Sequence, residues 1–180
     1  MNPRMTGILA KLKGGDRRSI GKSDQVTRAV AKNPKLFPEL ISGFIDPDPL
    51  IRMRAADAVE KLTRQRAELL QPWKRLILDS AATMQSKELR WHAAQLLPRL
   101  SLTPAEQTEV LAILHSYLAD KSSIVKTFAM QALVDIATRN SASDDLRAEV
   151  TPLIERLTRT GTPAMKARGR KLLKVLRVTP

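Results

Sequence analysis

Three segments of the chain, LIRMRAADAVEKL, ELRWHAAQLLPRL and IVKTFAMQALVDI, place apolar residues at one shared spacing. Ile51, Ala55, Ala58, Val59 and Leu62 run i, i+4, i+7, i+8, i+11. Leu89, Ala93, Leu96, Leu97 and Leu100 repeat that order, and so do Val125, Ala129, Ala132, Leu133 and Ile136. At about 3.6 residues per turn these positions form a single stripe, so each segment reads as an α-helix with one buried face. A fourth segment, AMKARGRKLLKVL, keeps the pattern with Met165, Gly169, Leu172, Leu173 and Leu176. The basic residue after the first apolar position recurs as Arg52, Arg90, Lys126 and Lys166, giving periods of 38, 36 and 40 residues. Periods of that length belong to paired helices stacked into a solenoid, because one pair alone cannot bury its apolar face.

The partner helices carry their own start signals. Thr103-Pro104-Ala105-Glu106 combines an N-cap Thr, a Pro at the first helical position and a Glu at the third, and opens a helix reaching about Leu118. Comparable helices are expected over Leu36 to Phe44, Ala67 to Leu78 and Leu146 to Thr158, with Thr162-Pro163 opening the last one. Asp24 to Lys32 and a short stretch from Met5 to Lys13 precede them. Asn33-Pro34, Asp46-Pro47-Asp48-Pro49, Asn140-Ser141 and Thr160-Gly161 supply turns, and Pro98 and Pro152 should kink the helices that contain them. The expected fold is therefore all-α, an α-α superhelix of four to five helical pairs. One domain spans 1-180, with 1-34 as a basic N-terminal cap and first helices, followed by repeats at 35-63, 67-101, 104-138 and 145-177.

Pro38, Asp46, Arg52 and the Ala55-Ala56 pair have the spacing of the HEAT repeat, and the chain resembles that family from about Leu36 to Leu176. Pro152, Thr160 and Lys166 repeat the spacing with Thr in place of Asp, and Asp120 with Lys126 repeats its latter half. As a whole the chain is similar to small bacterial HEAT-repeat proteins of unassigned biochemical role. The resemblance implies that Asp46, Asp120, Arg52, Arg90 and Lys126 belong to a hydrogen-bond ladder between turns and neighbouring helices, rather than to a ligand site. It does not select a function, since HEAT arrays serve as adaptors, transport receptors, nucleic-acid binders and occasionally enzymes.

Composition narrows the classes. The chain has no cysteine, which removes disulfides, thiolate nucleophiles and Cys-ligated zinc. No apolar run approaches the roughly 18 residues of a membrane span, and the first residues lack a long apolar stretch with a cleavage site, so a cytoplasmic location is expected. His92 and His115 have no His or Glu partner at i+3 or i+4, and each is read as a surface or boundary residue. No base or carboxylate dyad for a nucleophilic mechanism is visible, so no catalysis, cofactor or metal is expected. The only enzymatic reading left is a site assembled across repeats.

The string GGDRRSIGKSD invites comparison with a phosphate loop, but Asp16 stands where the motif requires glycine, Gly15 comes one place early, and no strand precedes it. It reads as a solvated loop leading into a helix capped by Ser23, whose first amides could hold a lone anion beside Arg17, Arg18 and Lys22. Trp73, after Pro72, reads as core. Trp91 falls off the apolar stripe, where packing between repeats is favoured over a contact surface, and Phe128 stands where the other copies have Arg54, His92 and Arg168, an apolar residue on a polar stripe that points to contact.

The formal charge of +13 sits at the ends. Residues 1–32 carry +6, residues 33–155 carry −1, and residues 156–180 carry +8 with no acidic residue. Lys166, Arg170, Lys174 and Arg177 line one side of the last helix, with Arg168 and Lys171 on another. A terminal repeat needs a polar face, but mixed charges would provide one, so the lack of any acid points to an anionic partner. The sequence thus supports a monomeric, non-enzymatic scaffold that binds an acidic or amphipathic protein. The alternative is a nucleic-acid binder holding phosphates through the N-terminal segment and the last helix.

Overall fold

The structure, a computed structural model, describes residues 7–16, 19–139 and 144–178. Among these residues the regular elements are all helical. The α-helices are α1 (Ser23–Lys32), α2 (Phe37–Ser42), α3 (Pro49–Thr63), α4 (Lys74–Thr83), α5 (Lys87–Leu96), α6 (Pro104–Leu118), α7 (Ser123–Ala137), α8 (Asp144–Thr160) and α9 (Pro163–Val178). The chain divides into two compact units, Met1–Leu96 and Leu97–Pro180. The division falls within the expected 67-101 repeat, where α5 ends and Pro98 sits in a 3-10 turn, Leu97–Arg99. A proline there lacks the amide that would continue the α-helical ladder.

In the first unit α3 is the central element, packed against α1, α2, α5 and a 3-10 turn at Ile8–Leu12. That turn is shorter than the helix expected from Met5 to Lys13, and Met5 lies outside the described residues. The helix expected from Ala67 is split into a 3-10 segment, Ala67–Trp73, and α4, because Pro72 interrupts the α-helical bonding. In the second unit α7 packs against α6, α8 and α9, and α8 packs against α9. Pro152 stays within one continuous α8. The pairs α2/α3, α4/α5, α6/α7 and α8/α9 match the four pairs read from the sequence. Successive second helices also touch within each unit, α1 with α3, α3 with α5, and α7 with α9.

The stripe positions form the two cores. Ile51, Ala55, Ala58, Val59 and Leu62 are buried, as are Val125, Ala129, Ala132, Leu133 and Ile136. In the fourth copy Met165, Gly169, Leu172 and Leu176 are buried and Leu173 is half-buried. Each large aliphatic side chain so removed from water contributes roughly 1.5–3 kcal/mol. Gly169 occupies the position of Ala55, Ala93 and Ala129 because α8 comes too close for a methyl group. A Cβ there would lie 1.9 Å from Thr158 Oγ1. Helix α6 begins as its sequence specifies, with Glu106 N–H donating to Thr103 Oγ1 (3.3 Å) and Thr103 N–H donating to Glu106 Oε2 (2.7 Å).

Candidate functional site

Helix α9 is the most open cationic element. With Met165, Gly169, Leu172 and Leu176 turned to the core, Lys166 and Arg168 are half-buried and Arg170, Lys171, Lys174 and Arg177 are exposed. Lys166, Arg170, Lys171, Lys174 and Arg177 make no ion pair or side-chain hydrogen bond among the described residues. Two cations of the first unit are paired with acids: Lys61 with Asp24 at 2.6 Å and Asp57 at 2.8 Å, and Arg64 with buried Glu60 at 2.7 Å. Lys61 accordingly holds the Asp24 carboxyl below its ordinary pKa, through its hydrogen bond and its charge.

Two residues singled out for contact, Phe128 and Arg168, meet. The Arg168 guanidinium carbon lies 6.0 Å from the centroid of the half-buried Phe128 ring, and its Nη1 donates to Gln131 Oε1 at 2.7 Å. Gln131 Nε2 in turn donates to Asp135 Oδ1 at 2.7 Å. This chain of bonds fixes the Gln131 amide at both ends. Desolvation raises the Asp135 pKa, opposed by the Gln131 hydrogen bond and by the charges of Arg139, Arg168 and Arg99. Arg139 is anchored nearby by donating to the Leu100 carbonyl at 3.0 Å. Exposed apolar residues flank the same helices: Ile124 on α7 is 40% exposed, and Val175 on α9 is 45% exposed.

In the first unit the N-terminal loop is more organised than its composition suggests. Arg54, on α3, is 2% exposed and donates to the carbonyls of Leu12 (2.7 Å), Gly14 (2.6 Å), Asp16 (3.0 Å) and Ser19 (3.1 Å). Gly14, Gly15 and Gly21 have φ of 69°, 80° and 55°, the left-handed conformations that let the loop turn those carbonyls inward. A phosphate loop aims amides at an anion, whereas this loop aims carbonyls at a cation. The expectation of a merely solvated loop is corrected on that ground. Lys22 is exposed and lines a 320 Å³ recess with Lys11, Lys13 and Arg54, while Arg17 and Arg18 lie outside the described residues. Ser23 does not cap α1. It is buried and donates its hydroxyl to Asp57 of α3.

Trp91 is half-buried, off the stripe as expected, with its ring 5.5 Å from that of His92. Trp73, expected in the core, is also half-buried. His115 is exposed, but His92 is buried at 7% exposure, not at a boundary, and its Nδ1 has no hydrogen-bond partner. Burial lowers the His92 pKa against the pull of Asp57 and Glu60. Of the expected ladder residues, Lys126 makes no side-chain hydrogen bond among the described residues, and the other four make bonds close by in sequence. Arg52 Nη1 donates to the carbonyls of Asp46 (2.6 Å) and Pro47 (3.0 Å), and Arg90 Nε donates to Met84 (2.9 Å). Asp46 Oδ1 accepts from the Asp48 amide and Asp120 Oδ1 from the Ser122 amide, at 2.8 and 2.7 Å. Among the described residues no group of three or more His, Asp or Glu side chains could hold a metal ion, and no helix is long and apolar enough to cross a membrane.

The fold defines the chain as an all-α protein. No family model matches it. It is similar to a kinesin heavy chain of Neurospora crassa, 30% identical over 151 residues, which cover 81% of this chain. The chain spans only 16% of that relative's length. Its fold is similar to the crystal structure of an engineered protein from the Northeast Structural Genomics Consortium, with a TM-score of 0.60 at 16% identity, over 94% of this chain and 79% of the other.

Proposed function

We propose that the chain is a non-enzymatic HEAT-repeat scaffold that binds an acidic protein segment through the open cationic face of α9. The observation that carries this reading is that five cations of α9, Lys166, Arg170, Lys171, Lys174 and Arg177, have no acidic partner among the described residues. Such charges repel one another and leave a positive field that an anionic partner relieves. A cytoplasmic, monomeric protein fits the same reading. Nucleic-acid binding is the second reading, favoured by the i, i+4, i+8, i+11 alignment of Lys166, Arg170, Lys174 and Arg177, which spaces successive cations roughly 5–6 Å apart along the helix.

The readings separate in one titration. Fluorescence anisotropy at low salt would compare a labelled acidic peptide with a single-stranded oligonucleotide of equal charge. The scaffold reading expects tighter binding of the peptide and its loss in K166E/R170E/K174E. Tighter binding of the oligonucleotide, with a log-log salt slope of about 0.7 per phosphate contacted, would replace it with the second reading. Binding of neither would overturn both.

A further inference from the structure

We infer that Arg168 is a pre-organised reader of a single carboxylate, and that the α7–α9 surface around it seats an acidic amphipathic helical segment of the partner. This inference rests on the scaffold reading and deepens it. A guanidinium has five N–H donors in a rigid fork. Here one edge is committed to Gln131 Oε1 at 2.7 Å and one face lies toward Phe128, so the side chain is held while the rest of the fork has no carboxylate partner. Gln131 can hold Arg168 only with its oxygen toward the guanidinium. Its amide donates to Asp135 Oδ1, which locks that orientation. Gln131 and Asp135 are therefore positioning residues, and Arg168 arrives at its ligand with little side-chain entropy left to lose.

The surroundings select the ligand's class. Phe128 lies against Arg168, exposed Ile124 stands one turn before Phe128 on α7 and exposed Val175 two turns after Arg168 on α9, while exposed Lys171 adds a second positive charge. On α7, Ile124, Phe128, Gln131 and Asp135 follow i, i+4, i+7, i+11, a stripe of about 16 Å, or three helical turns. A peptide helix with an aliphatic stripe and a glutamate beside it matches both features, in the manner of an amphipathic helix in a groove. A phosphate backbone does not match the apolar part of this surface, which offers it nothing.

The test is a titration of the full chain with four probes: a helical peptide with Leu at i, i+3 and i+7 flanked by Glu, the same peptide with Gln for Glu, a scramble without the stripe, and a single-stranded oligonucleotide. The patterned acidic peptide is expected to bind about tenfold more tightly than either control peptide. Arg168→Gln, which keeps a donor but loses the charge, and Phe128→Ala should each weaken it about tenfold, whereas Lys35→Glu, at an exposed cation of the first unit, should change it by less than about threefold. Gln131→Glu is the sharpest variant, because it hands Arg168 an internal carboxylate. Peptide binding should fall about tenfold, and by more than in Gln131→Ala, which removes the same bonds without adding a carboxylate, a difference a merely structural Gln131 would not give. Equal binding of the Gln or scrambled peptide, tighter binding of the oligonucleotide through Arg168, or unchanged affinity in Gln131→Glu would overturn the inference. If acidic peptides still bind in a way that depends on Lys166, Arg170 and Lys174, the scaffold reading survives that failure. If no peptide binds, both fall.

Discussion

Replacing Arg54 with methionine keeps an unbranched side chain of similar reach and deletes the four hydrogen bonds from α3 to the N-terminal loop. The carbonyls of Leu12, Gly14 and Ser19 lose the guanidinium as donor, and that of Asp16 is left with the Ser19 amide. Hydrogen bonds to a charged group contribute about 1.5–3 kcal/mol each when fully buried. Only the bond to Leu12 is buried here, and the carbonyls of the exposed loop residues can turn to water. Discounting those three to about 1 kcal/mol each gives roughly 4.5–6 kcal/mol for the set, at or just above the range for breaking a buried charged network. A unit of this size loses about 4 °C or more of Tm per kcal/mol, so its transition should fall by roughly 18 °C or more. Urea denaturation followed by far-UV circular dichroism would read the change. Hydrogen exchange should show the amides near Leu9 and Leu12 losing protection first, because those buried side chains are held against α3 by the same loop. Arg54→Lys should recover less than half the loss, since one ammonium with three donors cannot reach four carbonyls. A Tm change under about 2 °C in Arg54→Met, with exchange unaltered, would refute the view that the guanidinium organises this loop.

Further outcomes follow from other residues. Gly21→Ala should destabilise the first unit by about 2 kcal/mol or more. It places an L-residue at φ 55° and a Cβ 2.6 Å from Arg54 Cζ, and a thermal melt of the variant reads the effect. Gly169→Ala should cost about 1–3 kcal/mol in denaturant melts despite alanine's higher helix propensity, because the new methyl meets Thr158 Oγ1; Thr158→Ala in the same chain should recover part of it. Thr103→Ala should cost about 1 kcal/mol by removing one half of the capping box. His92 has a folded pKa below its unfolded value, so the unfolded state binds the extra proton as pH falls through about 6.5. Stability should therefore decline from pH 7.5 to 5 in urea melts, above the range where carboxylates titrate, and His92→Leu should flatten that slope.

The parts of the fold visible in the sequence are those governed by local periodicity. The apolar stripes needed only the helical repeat, and the α6 capping box needed only four consecutive residues. Arg54 escaped because its carbonyl partners lie 35 to 42 residues away in sequence, in a loop whose glycines signal a turn without saying what it turns around. Ser23 escaped similarly: its hydroxyl was free to cap α1 locally, but Asp57, 34 residues away, takes the hydrogen bond. The meeting of Phe128 and Arg168 is an intermediate case. Arg54, His92, Phe128 and Arg168 occupy one position of the repeat, and α7 and α9 are successive second-layer helices in contact. The periodicity marked Phe128 as the departure from that register, but which side chains meet across α7 and α9 is set by the packing of the two helices. One register position thus serves three purposes. Arg54 binds loop carbonyls, His92 is buried without a charge, and Arg168 is held with part of its fork unpaired. Arg168 alone of these lies on α9, whose Lys166, Arg170, Lys171, Lys174 and Arg177 have no acidic partner among the described residues.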